Sequence, residues 1–215
     1  AERVMVVAGL EVLRAGAGDA EAALLDRLAA KLRDERDPAT PGAASTGPRL
    51  RALDEDVLKH LDIDYLPSLG ETLLGMGAKI AAIKCGTRGY YLKTAGRDAL
   101  AGIGGAAPKD PAGWADRELF THVFEVGEVK SATGAGDTSI AGFLAALLRG
   151  HSIFECLDAA AAAGALCVTA HSATGAMLPL EEILDRVRSG WKKRPYDAYR
   201  GTHFRYDPAV GMLSR

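Results

Sequence analysis

Apolar positions along this chain fall into short continuous runs and one-faced stripes, and the two kinds alternate. Residues 4–10 form a brief apolar run that predicts a strand covered on both faces. Leu24, Leu25, Leu28 and Leu32 make a helical stripe. Residues 37–48 have loop composition, rich in Pro, Gly, Ala, Ser and Thr. Leu50, Leu53, Val57, Leu58 and Leu61 mark a second helical face, and residues 63–66 read as a strand stopped by Pro67. A short helix ends at residues 75–77. Residues 80–85 are the best buried strand in the chain. A turn at 86–89 then returns the chain as a strand over 89–93.

Residues 101–118 read as a loop, and the alternation at 122–126 predicts a further strand. After a Gly-rich turn at 131–137, Ile140, Phe143, Leu144, Leu147 and Leu148 recur on one helical face that Gly150 closes. A small-residue helix over 153–169 carries Leu157, Ala161, Ala165 and Val168 along one side. Leu180, Ile183, Leu184, Val187 and Trp191 mark the last helix. Alternating strands and helices predict an α/β fold around a mostly parallel sheet.

Composition narrows the class. The 215 residues are 48% hydrophobic and 25% charged, with a net charge of -2, which excludes a disordered polyelectrolyte. Cys85, Cys156 and Cys167 are too few and too irregular for a disulfide scaffold and read as core thiols in a reducing cytoplasm. No apolar run reaches the roughly 20 residues of a membrane-spanning helix, and the near-neutral balance gives no reason to expect nucleic acid. His60, His122, His151, His171 and His203 show no metal-ligand spacing.

Candidate chemistry concentrates at Thr133-Gly134-Ala135-Gly136-Asp137. A small-residue turn there opens onto a helix whose first amides lack internal partners and carry the positive end of the dipole, an anion site that suits phosphate. A carboxylate has the wrong charge for such a place if it only binds. It fits if it takes the proton of a hydroxyl that attacks phosphorus. The plain alternative is a helix cap. Gly16-Ala17-Gly18-Asp19 spells the same tetrapeptide without the preceding Thr, so the four residues alone are weak evidence, and Asp19 reads as a cap.

The wider context, residues 132–147, resembles the second signature of the ribokinase-like PfkB carbohydrate kinases. Further stretches resemble the family in order: Leu66-Pro67-Ser68-Leu69-Gly70-Glu71, residues 77–89, and residues 159–179. The resemblance covers roughly residues 50–190 and implies a ribokinase-like three-layer sandwich, incomplete at its N-terminal side. The expected organisation is a partial kinase domain at 1–190, with its nucleotide-binding portion at 62–190, and a tail at 191–215.

The resemblance implies ATP and Mg2+, with Asp137 as base and Gly134, Ala135 and Gly136 as the anion hole. It places Gly86, Thr87 and Gly89 beside the ATP, and Ala161, Gly164 and Ala165 near the adenine. Glu71 would act on the metal indirectly, through water. On the residues alone, Glu71 reads equally as an exposed carboxylate at a helix start, 86–89 as a hairpin turn, and 159–166 as close helix packing. Ser131 stands where potassium-activated members carry Asp.

The function expected is an ATP-dependent cytoplasmic kinase acting on a hydroxyl of a sugar or related small molecule, with a possible homodimer and no membrane partner. The alternatives are a non-catalytic nucleotide-binding relative and an inactive fragment. The tail from Trp191 to Tyr206 interleaves basic and aromatic residues and reads as a segment packed on the domain or a neighbour rather than a nucleic-acid strand site.

Overall fold

The computed structural model describes residues 5–8, 66–195 and 204–215, the first of these as backbone only. Residues 1–7 and 63–215 form one compact unit, and Ala8–Asp62 another. The helices expected around 24–32 and 50–61 and the loop at 37–48 lie outside the described residues, as does Asp19.

Six strands make one sheet in the order β1-β2-β3-β4-β6-β5. They are β1 (Met5–Ala8), β2 (Ile80–Lys84), β3 (Tyr90–Thr94), β4 (Glu118–Thr121), β5 (Arg205–Asp207) and β6 (Met212–Ser214). The pairs β2–β3, β3–β4, β4–β6 and β5–β6 are all antiparallel, so these strands do not form the mostly parallel sheet that the alternation predicted. The reason lies in the connections. Residues 85–89 reverse the chain between β2 and β3 as a 3-10 turn (Gly86–Arg88), and a parallel return would need a crossover of a dozen residues or more.

Helices cover both faces of this sheet. Helix α1 (Leu66–Gly75) lies on the Tyr91 and Lys93 face, where a methyl group built on Gly70 would stand 2.6 Å from Tyr91 Oη. Leu66 and Pro67 open this helix, where the first turn has amides to spare and proline removes one of them, and residues 63–65 of the expected strand lie outside the described residues. On the other face Ile80, Ala82, Tyr90, Leu92 and Leu119 meet Phe143, Leu147, Leu157 and Leu184 in the main core. Those residues come from α4 (Ala135–Arg149), α5 (Ile153–Cys167) and α6 (Leu180–Arg188). A short helix, α2 (Arg97–Ala101), ends where the expected loop begins, and another, α3 (Pro111–Trp114), forms inside it, started by Pro111 and the Asp110 cap. Asp110 caps α3 by accepting from the Gly113 amide, and Trp114, 2% exposed, packs edge-on against Phe143.

The strand expected at 122–126 is displaced to 118–121. Cross-strand partners Leu92↔Leu119 and Tyr91↔Phe120 set that register, and only Phe124 of the predicted strand forms a bridge, to Lys193. At the far edge β5 and β6 make a hairpin whose inner strand pairs with β4, and Met212 enters the core at 0% exposure.

Candidate functional site

Helix α4 starts at a glycine because its backbone has to. Gly134 is the N-cap with φ 83, the left-handed region that favours glycine, and a Cβ there would collide with Ala173 Cβ. The cap has no side chain, so nothing covalent to the turn covers the first amides. The turn is pinned from behind. Lys130 and Ser131 donate their amides to Val168 O at 2.8 and 3.3 Å, Thr133 N donates to Ser131 Oγ, and the buried Cys167 thiol donates to Thr133 O.

The amides around this turn divide. The Ala135 amide is engaged with Ala132 O at 3.2 Å, and Thr138 N with Gly134 O at 2.9 Å. The amides of Gly136 and Asp137, and that of Gly134 before them, have no acceptor among the described residues. Thr138 and Ser139 point inward, their hydroxyls donating to Gly134 O and Ala135 O. Asp137 is exposed and makes no side-chain hydrogen bond or ion pair among the described residues, so it does not cap the helix. The open end of α4 thus presents free N–H groups and one free carboxylate side by side.

The other predicted residues divide. Gly86 and Thr87 are exposed on the 3-10 turn, while Gly89, with φ 123, is buried so tightly against β4 that a Cβ would strike Thr121 O. Gly164 packs under the turn, since a methyl group there would meet Ser139 Oγ at 2.5 Å and Ala135 O at 3.4 Å. Ala161 and Ala165 sit in a second apolar cluster with Phe124, Leu166 and Ile183. Glu71 is held by Lys93 at 3.1 Å, and Lys93 also pairs with Glu118 at 3.2 Å. That places Glu71 on the sheet face opposite α4, and no contact brings it to Asp137.

The three cysteines are buried as expected, and burial pushes the Cys85 and Cys156 thiols up to about 12. Among the described residues no group of three or more His, Cys, Asp or Glu could hold a metal ion by itself, and no helix is long and apolar enough to cross a membrane.

Lys84 carries no role in the sequence motifs. It ends an otherwise fully buried strand, and its ammonium reaches the first turn of α4: a Cβ on Gly136 would stand 2.8 Å from Lys84 Nζ. A charged residue closing a buried run, on the parity of Ile80 and Ala82, was the signal available.

A family model, pfkB family carbohydrate kinase, matches this chain over residues 55–180. The chain belongs to that family. A ribokinase from Arabidopsis thaliana is 34% identical over 73 residues, 34% of this chain and 19% of that protein. The solved structure of Arabidopsis thaliana ribokinase complexed with ribose and ATP is 24% identical, covers 62% of this chain and 38% of its own, and has a TM-score of 0.46. The nucleoside kinase of Methanocaldococcus jannaschii is 18% identical, with coverages of 66% and 46% and a TM-score of 0.42. This pfkB chain therefore spans less than half the length of these relatives. The matched segment, 55–180, contains both the β2–β3 turn and the start of α4.

Proposed function

We propose that this protein is an ATP-dependent kinase that transfers the γ-phosphoryl group to a hydroxyl of a sugar or related small molecule, with Asp137 as the base. The observation that carries the reading is the open start of α4, where free amides and an exposed, unpaired carboxylate lie together. Family membership supports the reaction class.

The acceptor oxygen forms a bond to the γ-phosphorus, the bond from that phosphorus to the bridging oxygen breaks, and ADP leaves. Asp137 Oδ takes the hydroxyl proton as the new bond forms. The Gly136 and Asp137 amides donate to the phosphoryl oxygens, where charge must be held as transfer proceeds. Gly134 and Gly136 let those oxygens approach the backbone itself. Magnesium is bound chiefly by nucleotide phosphates and water, so it would need no cage of protein carboxylates here and would leave Asp137 free to take the proton. When bound, the ion offsets phosphate charge.

The deciding experiment is Asp137→Asn in the intact enzyme, assayed across a panel of sugars and nucleosides. The expected result is a fall in kcat of roughly 10²–10⁴-fold with ATP binding retained. Transfer at near wild-type rate would reject Asp137 as base. Asp19→Asn, in the matching tetrapeptide, is expected to leave turnover intact. Wild-type ATP binding with no turnover on any acceptor would favour the alternative, a nucleotide-binding relative without catalysis.

A further inference from the structure

The chain between β4 and the turn at Gly134 is held from the C-terminal side. Residues 123–125 do not extend β4 and pair instead with residues 192–194. Glu125 N donates to Lys192 O at 2.8 Å and Arg194 N to Val123 O at 3.0 Å, around an isolated antiparallel bridge between Phe124 and Lys193. Trp191 Nε1 donates to Glu125 O at 2.7 Å, and its ring lies against Phe124 with centroids 4.8 Å apart. Phe124 and Val126 pack in the apolar cluster of Ala161 and Ala165. From there the chain leads to Lys130 and Ser131, whose amides Val168 O holds, and then to Gly134.

A single bridge specifies register weakly, and Lys192, Lys193 and Arg194 are three consecutive cations. What distinguishes them is the Lys193 side chain. Its ammonium pairs with Asp158 Oδ1 of α5 at 2.6 Å, donates to Gly211 O of the β5–β6 hairpin at 3.1 Å and lies 5.4 Å from the centre of the Phe124 ring. The Lys193 and Asp158 side chains are 12% and 16% exposed, whereas Lys192 and Arg194 are exposed residues. Burial pushes the Asp158 carboxyl up and the Lys193 ammonium down, each toward its uncharged form. A buried pair of this kind stabilises a fold no better than apolar residues of similar size, so stability alone does not account for it. A one-residue slip of 192–194 along 123–125 would turn Lys193 to the other side and leave the Asp158 acid without its cation.

We infer that Lys193 is a positioning residue for the transfer site. By meeting Asp158 and Gly211 O together it fixes the register of 191–194 against 123–125, and with it the place of the turn that opens α4. Its effect on turnover rests on the kinase reading above, whereas its hold on the register does not.

The test uses the full chain and three variants. Lys193→Met alone strands a buried carboxylate and is expected to lower the melting temperature. Lys193→Met combined with Asp158→Leu removes both charges and is expected to return the melting temperature to at least that of the wild type. In this double variant the amides of Lys130 and Ser131 are expected to lose hydrogen-exchange protection while α5 and α6 keep theirs. Its kcat is expected to fall roughly tenfold to hundredfold, as for a reacting group displaced by about 1 Å, with a much smaller change in the KM for ATP. Lys193→Arg, which keeps the charge, is expected to retain most of the turnover and the exchange protection.

Wild-type exchange and wild-type kcat in the double variant overturn the inference and leave the kinase reading standing. Losses of turnover that follow the melting temperature from variant to variant identify a merely structural pair and also overturn it. A wild type without turnover on any acceptor removes the kinase reading, and the exchange at Lys130 and Ser131 then decides the register by itself: protection lost supports it, protection kept overturns it.

Discussion

Gly134 shows how much a single residue can decide. Its left-handed φ and its contact with Ala173 leave no room for a side chain. Alanine at such a dihedral costs roughly 1–2 kcal/mol before any clash. Gly134→Ala is therefore expected to lower the melting temperature by several degrees and to weaken ATP binding more than the stability loss explains, because the turn that bares the α4 amides is remade. A variant that melts and binds like the wild type would show that the turn tolerates another conformation. The composition of this turn was readable in the sequence, and so was the acid that follows it. Which amides stay free was not. The Ala132-to-Ala135 bond that removes one of them is a property of the folded turn, held in place by Val168 from another element.

Among the elements, α4 and α5 form the closest pair, and small residues make this possible. A methyl group on Gly142 would stand 2.7 Å from Ala159 O, so the helices meet backbone to backbone there. The start of α5 is fastened separately. Ser152 and Glu155 form a capping box, and Glu155 also accepts from Arg188 of α6 at 2.8 Å. The Arg188 guanidinium, with the Ser152 donors, holds the Glu155 carboxyl down at about 2 against an ordinary value near 4.5. A depressed carboxyl stabilises the fold fully above its unfolded value and loses that contribution as the pH falls through its folded one. Glu155→Gln is thus expected to reduce stability near pH 7 and to close the gap to the wild type between about pH 4.5 and pH 2, as read by urea unfolding. Solvent screening at this half-exposed site keeps the effect small. A gap independent of pH would assign the loss to packing instead.

Helix positions were the most legible elements, since Phe143, Leu147, Leu157 and Leu184 recur at the period that buries one face. Strand β4 was the least legible. Residues 118–121 are buried on both faces and do not alternate, whereas 122–126 alternate without pairing along their length.

At the scale of the molecule, the C-terminal residues belong to the sheet. Met212 and Leu213 extend it past β4, Lys193 pairs with Asp158 of α5 at 2.6 Å, and Trp191 stacks on Phe124 under Arg186. Met212→Ala is expected to cost about 2–5 kcal/mol in chemical denaturation, as for other buried long side chains truncated in a core. A loss under about 0.5 kcal/mol would mean that the hairpin contributes little to the fold, as surface substitutions do.

Local pattern alone was enough to establish an α/β chain with a Gly-rich turn feeding an amphipathic helix and an acid in its first turn. Periodicity and turn chemistry act over a few residues and are written in their order. The antiparallel pairing, the shift of β4, the capture of Glu71 by Lys93 and the approach of Lys84 to Gly136 were decided by the tertiary structure. Each joins residues distant in the chain, and the pairing that buries the most surface with its polar groups satisfied prevails over the preference of any one segment.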